Sequence, residues 1–196
     1  MGYYPFNPHR VQYMQAENGS IAVLRQRFIA HFTVTPIAAS ANGVHAAVTQ
    51  PTTGTTVVTT AITNPDVARN LSIVGNQSTC TGNVVIAGTN MAGQAITETI
   101  AASGTATVVG AKAFKTVTSI TIPTRGAASD TIAIGLGSKL GLPHKLTMNT
   151  VLAAALAAVR EATAPTVVAS ASALESNTVL LSSALDGGAV DVYYLV

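Results

Sequence analysis

A chain of 196 residues and 19.8 kDa has room for one sizeable core but hardly for two independent domains. Charged residues make up 9% of it and the AVILMFWYC set 48%, against roughly a quarter charged in an average soluble protein, which excludes a disordered tail or a coiled coil. Ten Lys/Arg against eight Asp/Glu leave a net charge of +2, too little for the basic stripe that direct nucleic-acid binding requires.

Residues 1–35 differ in composition from the rest of the chain. They hold Tyr3, Tyr4 and Tyr13, three of the five tyrosines, and Phe6, Phe28 and Phe32, three of the four phenylalanines, together with Arg10, Arg25 and Arg27. Pro5 and Pro8 forbid regular helix and favour an extended start; the stretch from Ser20 to Val34 suits either a strand pair or a short helix. Two readings stand side by side: an N-terminal arm (1–35) that packs on a partner, or an edge strand with ordinary core aromatics. On the first, Tyr3, Tyr4, Phe6, Arg10, Tyr13, Arg25 and Arg27 are the candidate interface residues, because aromatics and arginine are the side chains enriched in interface hot spots. The opening MGYYPFNPHR lacks a basic start followed by an apolar stretch, so no secretory signal is expected.

Residues 36–143 read as a β-sandwich domain. Short Val/Ile/Thr-rich segments recur with Gly, Asn, Pro and Ser between them at intervals of roughly 8–12 residues, the pattern of an antiparallel sandwich or barrel. Strands are predicted at 55–62, 70–75, 83–89, 95–101, 106–110, 113–122 and 130–136. In AITETIA (95–101), Ile96, Glu98 and Ile100 oppose Ala95, Thr97, Thr99 and Ala101; in KTVTSITI (115–122), Val117, Ser119 and Thr121 oppose Thr118, Ile120 and Ile122. TNMAGQ (89–94) and ASGT (102–105) carry the Asn and Gly of tight reversals. GLGSKLG (135–141) fits neither a Walker A nor a dinucleotide template, and reads as an ordinary loop at a strand end.

A C-terminal segment (144–196) is expected to fold back on the β domain. Asn149 is placed as an N-cap, and Leu152, Leu156 and Val159 recur at helical spacing, which predicts one short helix near 150–160; nearby Thr and Val also permit a strand. The apolar run at 151–159 is far short of the roughly 18 residues of a membrane span, so no membrane partner is expected. Strand texture returns at 166–171, 177–183 and 189–196, with a DGG turn at 186–188. Val190, Val192, Tyr194 and Val196 form one stripe, so the end of the chain should be tied into a sheet.

Little in the sequence points to chemistry. His9, His31, His45 and His144 are scattered, with no His, Cys, Asp or Glu at ligand spacing, so no metal and no cofactor is expected. The single Cys80 excludes an internal disulfide; it sits in GNQSTCTGN, which reads as a polar loop with no nearby Lys, Arg or His to activate the thiol. No serine lies in GxSxG, and the acidic residues are spread one by one, so no carboxylate pair is proposed. No catalytic residue is assigned, and the chain is read as a non-enzyme.

The segments NPDVARNLSIVG (64–75), GNVVIAGTNMAGQAITETI (82–100), GAKAFKTVTSITIP (110–123) and KLGLPHKL (139–146), with the C-terminal stretch 159–196, together resemble a head-associated structural protein of tailed double-stranded DNA bacteriophages and prophages. The resemblance covers nearly the whole chain, and the ordered combination is more specific than any piece. It implies a virion protein made in the bacterial cytoplasm: a capsid decoration (cement) protein on the capsid surface, with the major capsid protein and copies of itself as partners in a homo-oligomer. Two other readings compete. A tail tube, fibre or baseplate component of such a phage would also be structural; a carbohydrate-binding adhesin would need exposed aromatics on a loop face, whereas this chain has no Trp and keeps most Tyr and Phe near its ends.

Overall fold

A computed structural model describes residues 28–196 together with the strands β1 (Gln12–Gln15) and β2 (Ile21–Leu24), which pair antiparallel with Gln12 opposite Leu24 and Gln15 opposite Ile21. The fold is mainly β, in antiparallel sheets that include a half-barrel, and no α-helix occurs among the described residues. A 3₁₀ turn at Leu174–Ser176 is the one helical element among them.

Three sheets enclose two cores. The first sheet runs β5 (Thr56–Val58), β10 (Thr116–Ile122), β7 (Thr81–Thr89), β8 (Ala95–Ser103). A second, six-stranded sheet runs β14 (Thr166–Val168), β15 (Thr178–Leu180), β11 (Thr131–Gly141), β6 (Arg69–Gly75), β9 (Val108–Val109), with β4 (Ser40–Thr49) also pairing β11. In the third the order is β13 (Val159–Arg160), β12 (Val151–Leu156), β16 (Val190–Leu195), β3 (Ile29–Val34). One core gathers Leu71, Ile73, Val84, Ile86, Ile120 and Ile134 with their neighbours; the other gathers Leu140, Leu142, Val179, Val190, Val192 and Tyr194. Each such side chain taken from water contributes about 1.5–3 kcal/mol.

Alternation becomes burial most directly in β8, where Ile96 and Ile100 are buried while Ala95, Thr97, Thr99 and Ala101 stay exposed. The β7–β8 reversal works as its sequence suggests: Asn90 Oδ1 accepts from the backbone N–H groups of Ala92 and Gln94, and Gly93 takes φ +77. In β10 strict alternation fails. A bulge shifts register between Val117 and Ser119, so Val117 is buried on the side of Ile120 and Ile122 rather than opposite them, as an extra bulge residue requires.

The stretch 135–141 is not a terminal loop. It lies inside β11, which runs on past the predicted end at 136. Register on β6 shifts between Leu136 and Leu140, and a Cβ at Gly135 would stand 2.0 Å from the carbonyl oxygen of Ser40. The glycine serves strand packing, and its neighbours occupy an irregular stretch of a long central strand.

The helix expected near 150–160 is instead the hairpin β12–β13. Asn149 does cap a backbone N–H, that of Val151 at 3.0 Å, but the turn it makes leads into a strand. Of the three residues at helical spacing only Leu156 is buried; Leu152 and Val159 are exposed. The hairpin reverses at Ala157 and Ala158, both with positive φ (49 and 62), as a two-residue turn between strands of right-handed twist demands.

Asp130, just before β11, fastens the loop that leads into that strand. Its carboxylate accepts from the backbone of Ala127 (2.7 Å) and Gly126 (3.0 Å) and from the Thr79 hydroxyl (2.8 Å). Burial pushes its pKa up, but the bonds from Ala127, Thr79 and Gly126 and the nearby Arg125 outweigh it and leave the net value below the ordinary 3.8. A depressed folded pKa gives stability that is present above the unfolded value and lost as pH falls through the folded one. Urea melts at a series of pH values from about 5 down to about 2 should therefore show steep acid destabilisation in the parent and a shallower slope in Asp130→Asn; parallel slopes would show that the carboxylate carries none of it.

Candidate interaction face

The third sheet has one side on the second core and the other open. Cross-strand register places Ile29 beside Leu195, His31 beside Tyr193 and Ala153, and Thr33 beside Asp191, Ala155 and, at the far edge, Arg160. These side chains point away from the core, since the intervening Val190, Val192 and Tyr194 are fully buried.

The face is graded along its strands. At the end where residues 1–27 join, Ile29 and Leu152 are exposed by 65% and 52%; Phe28 and Val196, which alternate to the other side of the sheet past the end of the core, are exposed by 64% and 42%. In the middle the His31 ring stacks flat on Tyr193, with centroids 4.4 Å apart and planes within 2°. At the far end Asp191 accepts from the Thr33 hydroxyl at 2.7 Å and meets His31 Nε2 at 2.7 Å. The Thr33 hydroxyl first, and then His31, hold the Asp191 carboxyl below its ordinary value. Such an internally satisfied cluster beside exposed apolar side chains has the composition of an interface, apolar with a polar rim.

The sequence alone does not bring His31, Asp191 and Tyr193 together, because His31 and Asp191 lie 160 residues apart. The signal lies in the alternation of IAHFTV and VDVYYL, which sends all three to one face once the strands pair. Of the candidate interface residues, Tyr3, Tyr4, Phe6, Arg10, Arg25 and Arg27 lie outside the described residues; Tyr13 lies in β1, opposite Val23.

Other features offer less. A cleft of about 390 Å³ on the second sheet is lined by Ser40, Asn70, Ser72, Val109, Lys139 and Leu180 among others, hydroxyls and one ammonium without a histidine or carboxylate to act as base. Cys80 lies, as expected, in the loop between β6 and β7, but its side chain is buried in the first core, its thiol directed at Asn76 Oδ1 and the Thr131 carbonyl, and it packs as a small hydrophobe. His45 Nδ1 sits 2.7 Å from the Ala46 carbonyl and His144 Nδ1 2.6 Å from the Tyr194 hydroxyl. Among the described residues no three His, Cys, Asp or Glu side chains converge as a metal site would require. No family model, curated protein or solved structure matches the chain.

Proposed function

We propose that the chain is a non-enzymatic structural component of a tailed-phage virion, a decoration protein seated on the outside of the major capsid protein shell. The observation that carries this reading is the open face of the third sheet: exposed Tyr193, His31 and Ile29 run up to the end of β3 that residues 1–27 join. Residues 1–27 hold three arginines against one glutamate, which accounts for the whole formal net charge of +2. A segment rich in arginine and aromatics, joined in sequence to an apolar face, supplies hot-spot residue types, and sparse charge elsewhere spares a subunit the cost of desolvating ions on assembly. The segments that resemble phage head proteins give the reading its biological setting.

The mechanism is mechanical. A folded β domain that binds only the expanded shell lowers the free energy of that shell relative to the disrupted one. Many copies acting together let a modest affinity per site hold against internal pressure.

Labelling the protein in intact particles separates head from tail: label over heads supports decoration, and label confined to tails overturns it. A second test concerns the arm. Removing residues 1–13 is expected to leave a folded, soluble β domain, with an unchanged melting curve, that no longer binds capsids lacking their own copy. Loss of the fold would make the arm part of the core; undiminished capsid binding by a folded deletion would put the contact on the β domain.

A further inference from the structure

We infer that the free edge of β3 is a self-association site, pairing antiparallel with β3 of a second copy and joining two third sheets into one continuous sheet. The inference concerns the protein's own copies and holds for either virion location.

Backbone geometry identifies the groups involved. Phe28 and Val196 exchange both hydrogen bonds, N–H to O at 3.1 and 3.0 Å, and β3 runs against β16 from Ile29 opposite Leu195 to Val34 opposite Val190 without a register break. In an antiparallel pair, bonded and non-bonded positions alternate. Ala30, Phe32 and Val34 therefore bond to β16, while Ile29, His31 and Thr33 aim their N–H and C=O groups out of the sheet. Among the described residues no strand pairs with that side.

Other edges are short, bulged or covered. β5, β9, β13 and β14 have two or three residues each. β4 breaks register twice on β11. Over β8 lies the segment after β9, whose Ala111 and Lys112 N–H groups bond to Glu98 while the Lys112 ammonium bonds to the Thr97 carbonyl. By contrast β3 offers six residues, IAHFTV, without the Lys, Pro or bulge that guards a natural edge against pairing.

A second copy is the occupant that fits. Its β3, turned antiparallel about His31, puts Ile29 opposite Thr33 at one end, Thr33 opposite Ile29 at the other, and His31 opposite His31, so every outward donor meets an acceptor. Among the described residues the charge beside the edge, Asp191, is already engaged by Thr33 and His31 of its own chain. The His31–Tyr193 stack of each copy then continues across the seam through the two facing histidines, and the Phe28 ends of the two strands lie at opposite ends of the seam.

Sedimentation velocity of the full chain over a concentration series should show a dimer. Ile29→Pro removes an N–H that takes no part in pairing with β16, so its melting curve should stay native while dimerisation weakens by about tenfold or more through the two bonds lost at the seam; Ile29→Ala, which keeps the N–H, should still dimerise. Under mild oxidation His31→Cys should give a disulfide-linked dimer, since the paired positions lie close enough for a bridge, and Ile29→Cys should not. A monomeric parent at every concentration, a higher oligomer, a dimer untouched in Ile29→Pro, or a cross-link through Ile29→Cys instead of His31→Cys would each overturn the edge pairing. Should Ile29→Pro unfold, the two cysteine variants decide.

Discussion

Deleting residues 189–196 is expected to yield a chain that is unfolded or insoluble. β16 lies between β12 and β3, so its loss strips both neighbours of their ladder. It also removes Val190, Val192 and Tyr194, all fully buried in the second core. The fourth member of the predicted stripe, Val196, is exposed by 42% and adds little. Single substitutions should grade accordingly. Tyr194→Ala opens a large cavity and should cost about 3–5 kcal/mol. Tyr194→Phe loses only the contact with His144 and should cost about 1 kcal/mol. Burial pushes the Tyr194 phenol up to about 12, so a spectrophotometric titration should show one tyrosine ionising late, absent in Tyr194→Phe. A truncated protein that melts within a degree or two of the parent would make β16 peripheral.

The second large effect is expected at Arg69, whose side chain is wholly buried at the start of β6. Its Nε donates to the Gly137 carbonyl at 2.7 Å, and its Nη1 donates to the Ile37 carbonyl at 2.9 Å and to Asp66 at 3.1 Å. Asp66 in turn accepts from the Ile37 N–H at 2.8 Å. One guanidinium thus ties the irregular part of β11 to the segment between β3 and β4. Arg69→Ala leaves two carbonyls and a carboxylate without their donor and should cost about 3–5 kcal/mol in chemical denaturation. Arg69→Met refills most of the volume and should cost less; equal losses for the two would mean that the polar ties, not packing, dominate.

Much of the β architecture is legible in the sequence because period-two alternation and Asn/Gly turns are local. β8 and its turn at Asn90 follow from their own residues alone. Alternation puts Val117 on the wrong face because a bulge is set by the partner strand, in this case β7, and leaves no mark on the alternation itself. The hairpin at 151–160 reads as a helix because Ala-rich segments have high helix propensity, and because Asn149 caps a turn in either structure. What decides against the helix is tertiary: Ala154 and Leu156 are opposite Val192 and Val190 on β16, a pairing that contributes core packing a lone helix would forgo. The interaction face is illegible for a related reason. His31 and Asp191 become neighbours only when the two ends of the chain pair in register, and no local pattern announces that.

β11 makes the two cores one cooperative unit. Within the same eleven residues it supplies Ile132, Ile134 and Leu136 to the first core and Leu140 to the second. No chain boundary lies between the cores at which one could open while the other stayed closed. Partial unfolding would have to cut a strand whose amides on either side of Gly137 are bonded into different parts of the molecule, so its interior should exchange with solvent only through whole-domain opening. A pull that separates the first core from the second is likewise carried along covalent backbone, in line, instead of across a seam that can be peeled one hydrogen bond at a time.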